Sequence, residues 1–335
     1  MKAIRVANPA SLETLKLVDM PEPGAPGRGE IKVRLRATSL NYHDYAVVTG
    51  FIPTEDGRIP MSDGAGEVLE VGDGVTEYAP GDQVVTTFFP DWLDGASPDR
   101  GFKRVPGDGI DGYAREVVVA PETSFTRAPK GWTPAESATI TCAGVTAWRA
   151  LIVDGGLKAG STVLVLGTGG VSVLALQIAK AAGCTVIATS SSDEKLERMR
   201  QLGADHLINY KSEHKWGTAA RELTGGRGVD HVVEIGGAGT LPQSFAAARV
   251  GGHIALIGVL AGRSGEIPTA LLMAKQQRLI GLTVGSRRDQ LDYIRAIDAN
   301  GMKPVIDSHF PLAELAEAFR RQERGAHFSK IVVDI

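Results

Sequence analysis

The chain has 335 residues, and its 36 Lys and Arg against 39 Asp and Glu leave a formal net charge of −3. Hydrophobic residues make up 43% and charged residues 22% of the composition, which excludes a wholly disordered protein. A net negative charge argues against a protein that binds nucleic acid through bulk positive charge. The two cysteines, Cys142 and Cys184, exclude a disulfide scaffold and a four-cysteine zinc lobe.

The N-terminal segment lacks the apolar core of a secretory signal peptide. No run of about 18 apolar residues is available to cross a bilayer. We therefore expect a cytoplasmic protein with no membrane partner, and the length allows about two domains.

The first 125 residues are typical of a β-rich domain. Short runs of alternating or β-branched residues between Gly and Pro turns predict strands. The Gly-, Pro- and Asp-rich stretch 88–112 predicts a long loop. The predicted strands cover residues 31–35, 66–71, 83–87 and 116–120.

From about residue 130, short apolar runs alternate with amphipathic segments of helical length. This rhythm predicts repeated βα units and therefore a doubly wound parallel sheet of the Rossmann type. The predicted strands are 162–166, 185–189, 229–234 and 253–257, and the helices between them are 171–182, 193–202 and 241–249. The tail is predicted to contain helices near 290–300 and 312–324 and a closing strand over 330–334.

A Gly-rich string lies between the strand 162–166 and the helix that follows it. Gly167 is expected to form the turn, and a small second residue lets the backbone approach a pyrophosphate. The helix N-terminus then offers free N–H groups and a partial positive charge. The alternative is a tight turn without a ligand. The predicted phosphate-binding residues are Gly167, Thr168, Gly169, Gly170 and Val171.

The end of the next strand distinguishes NAD from NADP. An NAD site usually carries an acid about 20 residues after the Gly-rich loop, but residues 188–195 read ATSSSDEK. Ser190 and Ser191 stand where that acid would be, and with Lys195 they suit a 2′-phosphate. NADP(H) is therefore the predicted cofactor. Ser192 alternatively caps the helix that follows.

Several motifs occur in one order along nearly the whole chain. They are 39–44 (SLNYHD), 62–67 (SDGAGE), 71–75 (VGDGV), 80–84 (PGDQV), 142–148 (CAGVTAW) and 202–205 (LGAD). Together they resemble the medium-chain dehydrogenase/reductase superfamily, in particular its zinc-independent quinone oxidoreductase-like and enoyl reductase-like branch. The resemblance implies an α/β chain with a GroES-like catalytic domain over 1–125, completed by about 268–335, and an NADP-binding Rossmann domain over 126–267.

The zinc-dependent members of that superfamily carry a Cys, a His-Glu pair and a later Cys at their catalytic metal. Here Asn41 stands at the first position and Ser62-Asp63 replaces the His-Glu pair, so that Cys142 alone remains. A catalytic zinc needs three protein ligands and an open position, and we predict no metal. Without a metal, hydride addition to a conjugated C=C or a quinone is less demanding than reduction of a simple ketone.

Catalytic and further cofactor-binding residues follow partly from the resemblance. It places Asn41 and Tyr42 beside the nicotinamide, with Tyr45 and Asp63 as further candidates for proton supply or binding; a packed ring is the alternative for Tyr42. It also places Thr146 and Tyr210 at the cofactor. For Lys330 the alternatives are an approach to the cofactor from the tail and a solvated side chain, and the solvated side chain is the expectation. Residues at the carboxyl ends of predicted strands add Gly236, Gly258 and Val259.

The sequence thus predicts an NADPH-dependent, zinc-independent reductase that transfers a hydride to an enone, an enoyl group or a quinone. Two alternatives stay open at this point. One is an alcohol dehydrogenase-like enzyme acting on alcohols or aldehydes, and the other is a non-catalytic NADPH-binding sensor. The expected partners are a small-molecule substrate and a second copy of the chain in a homodimer, with no nucleic acid.

Overall fold

A computed structural model describes residues 1–98 and 101–335, and at residues 101 and 102 it describes the backbone alone. The chain divides into two compact units. Unit 1 contains Met1–Val145 and Gly285–Ile335, and unit 2 contains Thr146–Val284. No helix within the described residues is long and apolar enough to cross a membrane.

Strands make up most of unit 1 and the centre of unit 2. In chain order they are β1 Lys2–Val6, β2 Leu15–Asp19, β3 Glu30–Ser39, β4 Ala65–Val71, β5 Gln83–Thr86, β6 Val117–Pro121, β7 Phe125–Arg127, β8 Thr162–Leu166, β9 Thr185–Ser190, β10 His206–Asn209, β11 Val229–Glu234, β12 Ala248–Leu256, β13 Arg278–Gly281, β14 Ile306–Pro311 and β15 Lys330–Asp334.

The α-helices are longest in unit 2 and in the tail. In chain order they are α1 Tyr42–Val48, α2 Pro134–Ala138, α3 Val145–Trp148, α4 Gly170–Ala181, α5 Asp193–Gln201, α6 Trp216–Glu222, α7 Leu241–Ala247, α8 Thr269–Ala274, α9 Arg287–Asn300 and α10 Leu315–Glu323.

The main sheet of unit 1 is built around the long strand β3. The strand order is β14-β15-β3-β4-β5-β7, and β6 also pairs with β3. β15 pairs with Ala37–Ser39 at the carboxyl end of β3, whereas β6 pairs with Glu30–Arg34 at its other end. The tail therefore completes the sheet of the N-terminal part. Ile31, Val33 and Leu35 alternate into the core, as period-2 patterning requires.

Unit 2 contains a six-stranded parallel sheet in the order β10-β9-β8-β11-β12-β13. All five residues of β8 are buried, as expected for a central parallel strand covered on both faces. The chain proceeds outward from β8 to β10 and then returns to β11 on the other side of β8. Ligands of open α/β sheets bind outside the carboxyl ends of the strands at such a reversal. The predicted α/β class with a doubly wound parallel sheet is confirmed.

The unit boundaries differ from the predicted domain boundaries. Residues 126–145 belong to unit 1 because β7 pairs with β5 and α2 packs on β3. Residues 268–284 belong to unit 2 because β13 extends its sheet beside β12. In both places a short strand decides the assignment, and neither strand was predicted from the sequence.

Candidate functional site

The Gly-rich loop of unit 2 joins β8 to α4 at the reversal of strand order. Gly167 has a φ of 71°, which glycine adopts without strain. Its N–H donates to the Thr189 carbonyl oxygen at 2.9 Å, which holds the turn against the end of β9. A Cβ at Gly169, the N-cap of α4, would meet no atom within 4 Å. The amino end of α4 is therefore open, and it fits a phosphate group.

The other residues of this loop fix the start of α4. Thr168 is buried, and Gly170 and Val171 are the first two helical residues. Ser172 is fully buried and its Oγ donates to the Leu166 carbonyl oxygen at 2.6 Å. Ser172 occupies the third fingerprint position, where Gly or Ala is usual, and this hydrogen bond lets a serine pack there against β8.

The predicted 2′-phosphate residues lie together at the carboxyl ends of β9 and β10. Ser190 is buried, and its carbonyl oxygen accepts the Tyr210 N–H at 3.0 Å. Ser191 and Lys195 are partly exposed, and 41% of Tyr210 is exposed. The Ser192 Oγ accepts the Lys195 N–H, so Ser192 caps α5 as the alternative reading of the sequence expected. Hydroxyl, phenol and ammonium groups thus share one edge of the sheet.

A buried carboxylate organises the loop after β11. Glu234 Oε1 accepts the Gly236 N–H at 2.7 Å and the Thr240 hydroxyl at 2.6 Å, and Oε2 accepts the Ser244 hydroxyl. A Cβ at Gly236 would lie 2.3 Å from Thr240 Oγ1, so only glycine fits there. Sequence reasoning identified Gly236 but missed Glu234. The signal that could have found it is an acidic residue at the end of a strand, two positions before a Gly-Gly pair.

Close backbone packing also governs the residues after β12. A Cβ at Gly258 would lie 2.4 Å from the Ile235 carbonyl oxygen, which explains a glycine at this position. Val259 follows it and is 39% exposed. Thr146 is buried on α3, at the start of unit 2. Gly236, Gly258 and Val259 therefore follow the carboxyl ends of β11 and β12, and their contact with a cofactor stays a prediction.

Unit 1 contains a buried polar cluster where β3, α1 and β15 meet, made by Ser39, Asn41, Asp44, Asp63 and Lys330. Asn41 caps α1, and its backbone N–H and side-chain Nδ2 both donate to Asp44 Oδ2 at 3.0 Å. Asp44 Oδ1 accepts the Ser62 N–H at 2.8 Å. The Asn41 side chain is therefore held in one orientation.

Asp63 lies at the centre of the cluster and is fully buried. Its Oδ2 accepts the Ser39 hydroxyl at 2.5 Å, and its Oδ1 accepts the Cys142 N–H at 3.0 Å. Burial raises the pKa of this carboxyl, while the positive charge of Lys330 acts in the opposite direction. The structure thus places two predicted catalytic residues, Asn41 and Asp63, in one network.

The expectation that Lys330 is solvated is wrong. Its side chain is 2% exposed. The ammonium donates to the Leu40 carbonyl oxygen at 2.7 Å and to Asn41 Oδ1 at 2.5 Å, and it lies 3.4 Å from Asp63 Oδ2. The residue begins β15, which pairs with the end of β3, so the pairing of these strands turns Lys330 inward. General preferences for surface lysines cannot reveal such a long-range contact.

The two predicted tyrosines have different surroundings. Tyr42 is 52% exposed, and no described residue hydrogen-bonds with its hydroxyl. The Tyr45 hydroxyl donates to Glu323 Oε1 at 2.6 Å, and this bond with the carboxylate raises its pKa to about 12. Tyr42 is therefore the better placed of the two to offer a hydrogen bond to a ligand.

His43 packs beside the cluster and links it to the long loop. Its Nδ1 lies 3.5 Å from Asp44 Oδ1 and its Nε2 lies 3.1 Å from Asp108 Oδ2. Burial opposes a charge on the ring, but the hydrogen bond with Asp108 and the nearby Asp44 carboxylate prevail and raise its pKa to about 9. The His43 ring contacts Phe88 edge to face, at 5.1 Å between centroids.

The residues present do not fit a catalytic zinc ion. Within the described part of the chain no group of three His, Cys, Asp or Glu side chains is arranged to hold a metal. The Asp63 and Asn41 oxygens already accept hydrogen bonds from protein donors, among them a buried ammonium. Burial and the nearby Asp63 raise the pKa of the Cys142 thiol well above its usual value, which disfavours the thiolate that a metal needs.

Two family models match separate parts of the chain. The alcohol dehydrogenase GroES-like domain matches residues 27–130, and the zinc-binding dehydrogenase domain matches residues 170–299. The chain belongs to the medium-chain dehydrogenase/reductase superfamily. This confirms the predicted superfamily and the pairing of a GroES-like domain with a Rossmann-type domain.

Relatives within the superfamily carry different names. A zinc-type alcohol dehydrogenase-like protein of Schizosaccharomyces pombe is 40% identical, with 97% of this chain and 96% of the relative covered. A chloroplastic quinone oxidoreductase of Triphysaria versicolor is 32% identical, over 96% of this chain and 94% of the relative. The superfamily assignment therefore identifies an oxidoreductase without deciding its substrate.

Solved structures agree with the fold. An NAD-dependent alcohol dehydrogenase superposes with a TM-score of 0.91 at 34% identity, with all of both chains covered. A mycobacterial protein complexed with NADPH superposes with a TM-score of 0.83 at 28% identity, again with all of both chains covered. The second structure supports the predicted NADP(H) cofactor.

Proposed function

We propose that this protein is an NADPH-dependent, zinc-independent oxidoreductase that transfers a hydride to a conjugated C=C bond or to a quinone. The observation that carries the proposal is the buried cluster of unit 1, in which the Lys330 ammonium is bonded to Asn41 and lies close to Asp63, so that these side chains already have a cation as partner.

Among the described residues no side-chain cluster fits a metal ion, and this restricts the substrates that we propose. Reduction of a simple aldehyde or ketone places negative charge on one oxygen, which a zinc ion normally stabilises. In an enone or a quinone the substrate's own conjugation spreads that charge, so hydrogen-bond donors are sufficient. The Tyr42 hydroxyl is an exposed donor of this kind.

The chain's own residues bind the cofactor and orient the substrate. When bound, NADPH supplies the hydride. The open amino end of α4 holds the pyrophosphate, and Ser190, Ser191, Lys195 and Tyr210 hold the 2′-phosphate. In unit 1, the hydrogen-bond network of Asn41 and Asp63 fixes the start of α1. Tyr42 on this helix donates a hydrogen bond to the substrate oxygen and supplies the proton.

The central experiment is a substrate panel. NADPH oxidation is measured with enones, quinones, simple aldehydes and, in the reverse direction, alcohols. We expect turnover with enones or quinones, and no loss of activity after dialysis against a chelator. Activity confined to aldehydes and alcohols would contradict the proposal, and tight NADPH binding without any turnover would favour the non-catalytic alternative.

The cofactor preference is tested at Lys195. The Lys195→Ala variant removes a cation from the first turn of α5, and we expect KM for NADPH to rise about tenfold while KM for NADH stays unchanged. Lys158→Ala, at an exposed lysine of the same unit, serves as the matched control. Equal effects on the two nucleotides would show that Lys195 does not contact the 2′-phosphate.

An alcohol dehydrogenase activity is the second candidate, because the fission yeast relative and one solved structure carry that name. The two candidates differ in their need for an electrophile, so the ratio of enone to aldehyde turnover separates them.

We further propose a cytoplasmic homodimer, in which the exposed strand β13 at the edge of the unit 2 sheet meets its counterpart.

A further inference from the structure

The antiparallel pairing of β3 and β15 delivers Lys330 to the amino end of α1. Val332 lies opposite Ser39, and the Leu40 N–H donates to the Ile331 carbonyl oxygen at 3.0 Å. Continuing this register two residues beyond the Val332–Ser39 pair sets Lys330 opposite Asn41. Ser329, just before β15, has a φ of 67°, an uncommon conformation for a non-glycine residue. The chain thus takes up a strained backbone conformation directly before this lysine.

A buried ammonium is costly unless acceptors surround it. Here three acceptors of different kinds surround Lys330, namely the Leu40 carbonyl, the Asn41 amide oxygen and the Asp63 carboxylate. The cluster contains two buried carboxylates. Asp44 faces the His43 ring, whereas Asp63 is the carboxylate that the Lys330 ammonium compensates.

We propose that the Lys330 ammonium is the fixed internal cation of this cluster, which orients the Asn41 carboxamide and compensates Asp63. Lys330 is then a positioning residue, since it acts through Asn41 and Asp63. Its part in turnover rests on the proposed function, whereas its charge compensation does not.

The orientation of Asn41 follows from the two ends of its side chain. Oδ1 accepts from Lys330 and Nδ2 donates to Asp44. Without the ammonium, Oδ1 loses the donor that Lys330 supplies, and the carboxamide is held through its Nδ2 bonds alone. The carboxamide is then less rigidly fixed, and so is the start of α1 that carries Tyr42.

The protonation of Asp63 makes the effect of removing Lys330 depend on pH, which a loss of packing alone would not do. The titratable groups around it are Lys330, Asp44 and Cys142, and His43 lies beyond Asp44. Removing Lys330 leaves Asp63 in a desolvated site without its cation, so the folded protein favours the protonated acid. The stability lost in Lys330→Met must then grow as the pH rises, because Asp63 ionises readily in the unfolded chain but unfavourably in the folded variant.

The test is a double-mutant cycle with Lys330→Met, Asp63→Asn and the combined variant, followed by thermal unfolding between about pH 5.5 and 9. Lys2→Met, at an exposed lysine paired with Asp19, is the control. We expect Lys330→Met to lower Tm by about 5 °C or more at high pH and by less at low pH. The combined variant should recover much of this loss and lack the additional pH dependence.

Equal Tm values for Lys330→Met and the combined variant at every pH would overturn the compensation, because a lysine that only fills space would give that result. If Lys330→Met does not fold, recovery of folded protein in the combined variant supports the proposal, and failure of both overturns it.

The positioning role is read from kinetics, with NADPH binding by fluorescence measured alongside. We expect Lys330→Met to lower kcat about tenfold or more, with the Kd for NADPH unchanged because the nucleotide residues lie in unit 2. An unchanged kcat would reject the positioning role. A wild-type enzyme inactive with every substrate would instead reject the proposed function, and the Tm cycle would still test the internal cation.

Discussion

Tyr42 and Tyr45 lie on α1 with their ring centroids 6.0 Å apart, but only Tyr42 has a hydroxyl available to a ligand. We predict that Tyr42→Phe lowers kcat for enone or quinone reduction about ten- to a hundredfold, because the variant loses a proton donor. KM for NADPH should stay nearly unchanged. Steady-state kinetics with both substrates measure the effect.

Tyr45→Phe is the matched comparison for that substitution. Its hydroxyl already donates to Glu323, and the ring packs near Phe319. We expect a small change in kcat. A larger loss of kcat in Tyr45→Phe than in Tyr42→Phe would show that the roles of the two tyrosines are reversed.

His43 is predicted to make stability depend on pH. The hydrogen bond with Asp108 and the nearby Asp44 carboxylate outweigh burial and raise its pKa to about 9 in the folded protein, above its ordinary value of 6.5. The stabilisation is therefore complete below about pH 6.5 and is lost as the pH rises through about 9. We expect the free energy of unfolding of wild type to exceed that of His43→Gln by on the order of 2 kcal/mol at pH 6, with the difference shrinking from about pH 6.5 and nearly lost above about pH 9.

Chemical denaturation at several pH values measures this difference. His309→Gln is the control, because His309 pairs with Asp334 at an exposed site where ion pairs contribute little. A constant difference between wild type and His43→Gln from pH 6 to 10 would mean that the His43 ring is uncharged throughout.

At the scale of elements, the sequence predicted the strands and helices whose pattern is local. β8 is a short apolar run, and α4 and α5 begin at recognisable turn and cap residues. Elements with weak local signals escaped prediction. Examples are β13, in which none of the four residues is buried, and β14. β12 begins at Ala248 rather than at 253, and the predicted helix 241–249 therefore ends at Ala247.

The candidate site shows the same division. The phosphate loop and the hydroxyls after β9 follow one another along the chain, so sequence spacing was sufficient to predict them. The cluster in unit 1 joins Asn41 to Lys330, which is 289 positions away. No local pattern reports such a contact, because it depends on how β15 pairs with β3.

The loop between β11 and α7 is predicted to depend on Glu234. Replacement of its carboxylate in Glu234→Gln removes an acceptor for the Gly236 N–H or the Thr240 hydroxyl in a buried site. We expect a loss of about 2 kcal/mol in the free energy of unfolding and a higher KM for NADPH. Glu222→Gln, at an exposed position of the same unit, should change neither. A loss of stability in Glu234→Gln without a higher KM for NADPH would show that this loop does not contribute to cofactor binding.

The whole molecule is predicted to be a homodimer of twice 35.3 kDa. β13 has β12 on one side, and its Leu282 neighbour donates its N–H to the Leu256 carbonyl oxygen on that side. Because backbone groups alternate along a strand, the Gly281 N–H points to the open side. A Cβ at Gly281 would meet no atom within 4 Å, so the position tolerates substitution.

Gly281→Pro removes that outward N–H, whereas Gly281→Ala keeps it and serves as the control. If β13 pairs with the same strand of a second copy, light scattering after size exclusion should give a dimer for wild type and Gly281→Ala and a monomer for Gly281→Pro. NADPH binding by all three proteins shows that unit 2 is folded. A monomeric wild type would contradict the dimer itself, and a dimeric, folded Gly281→Pro would place the contact elsewhere on the surface.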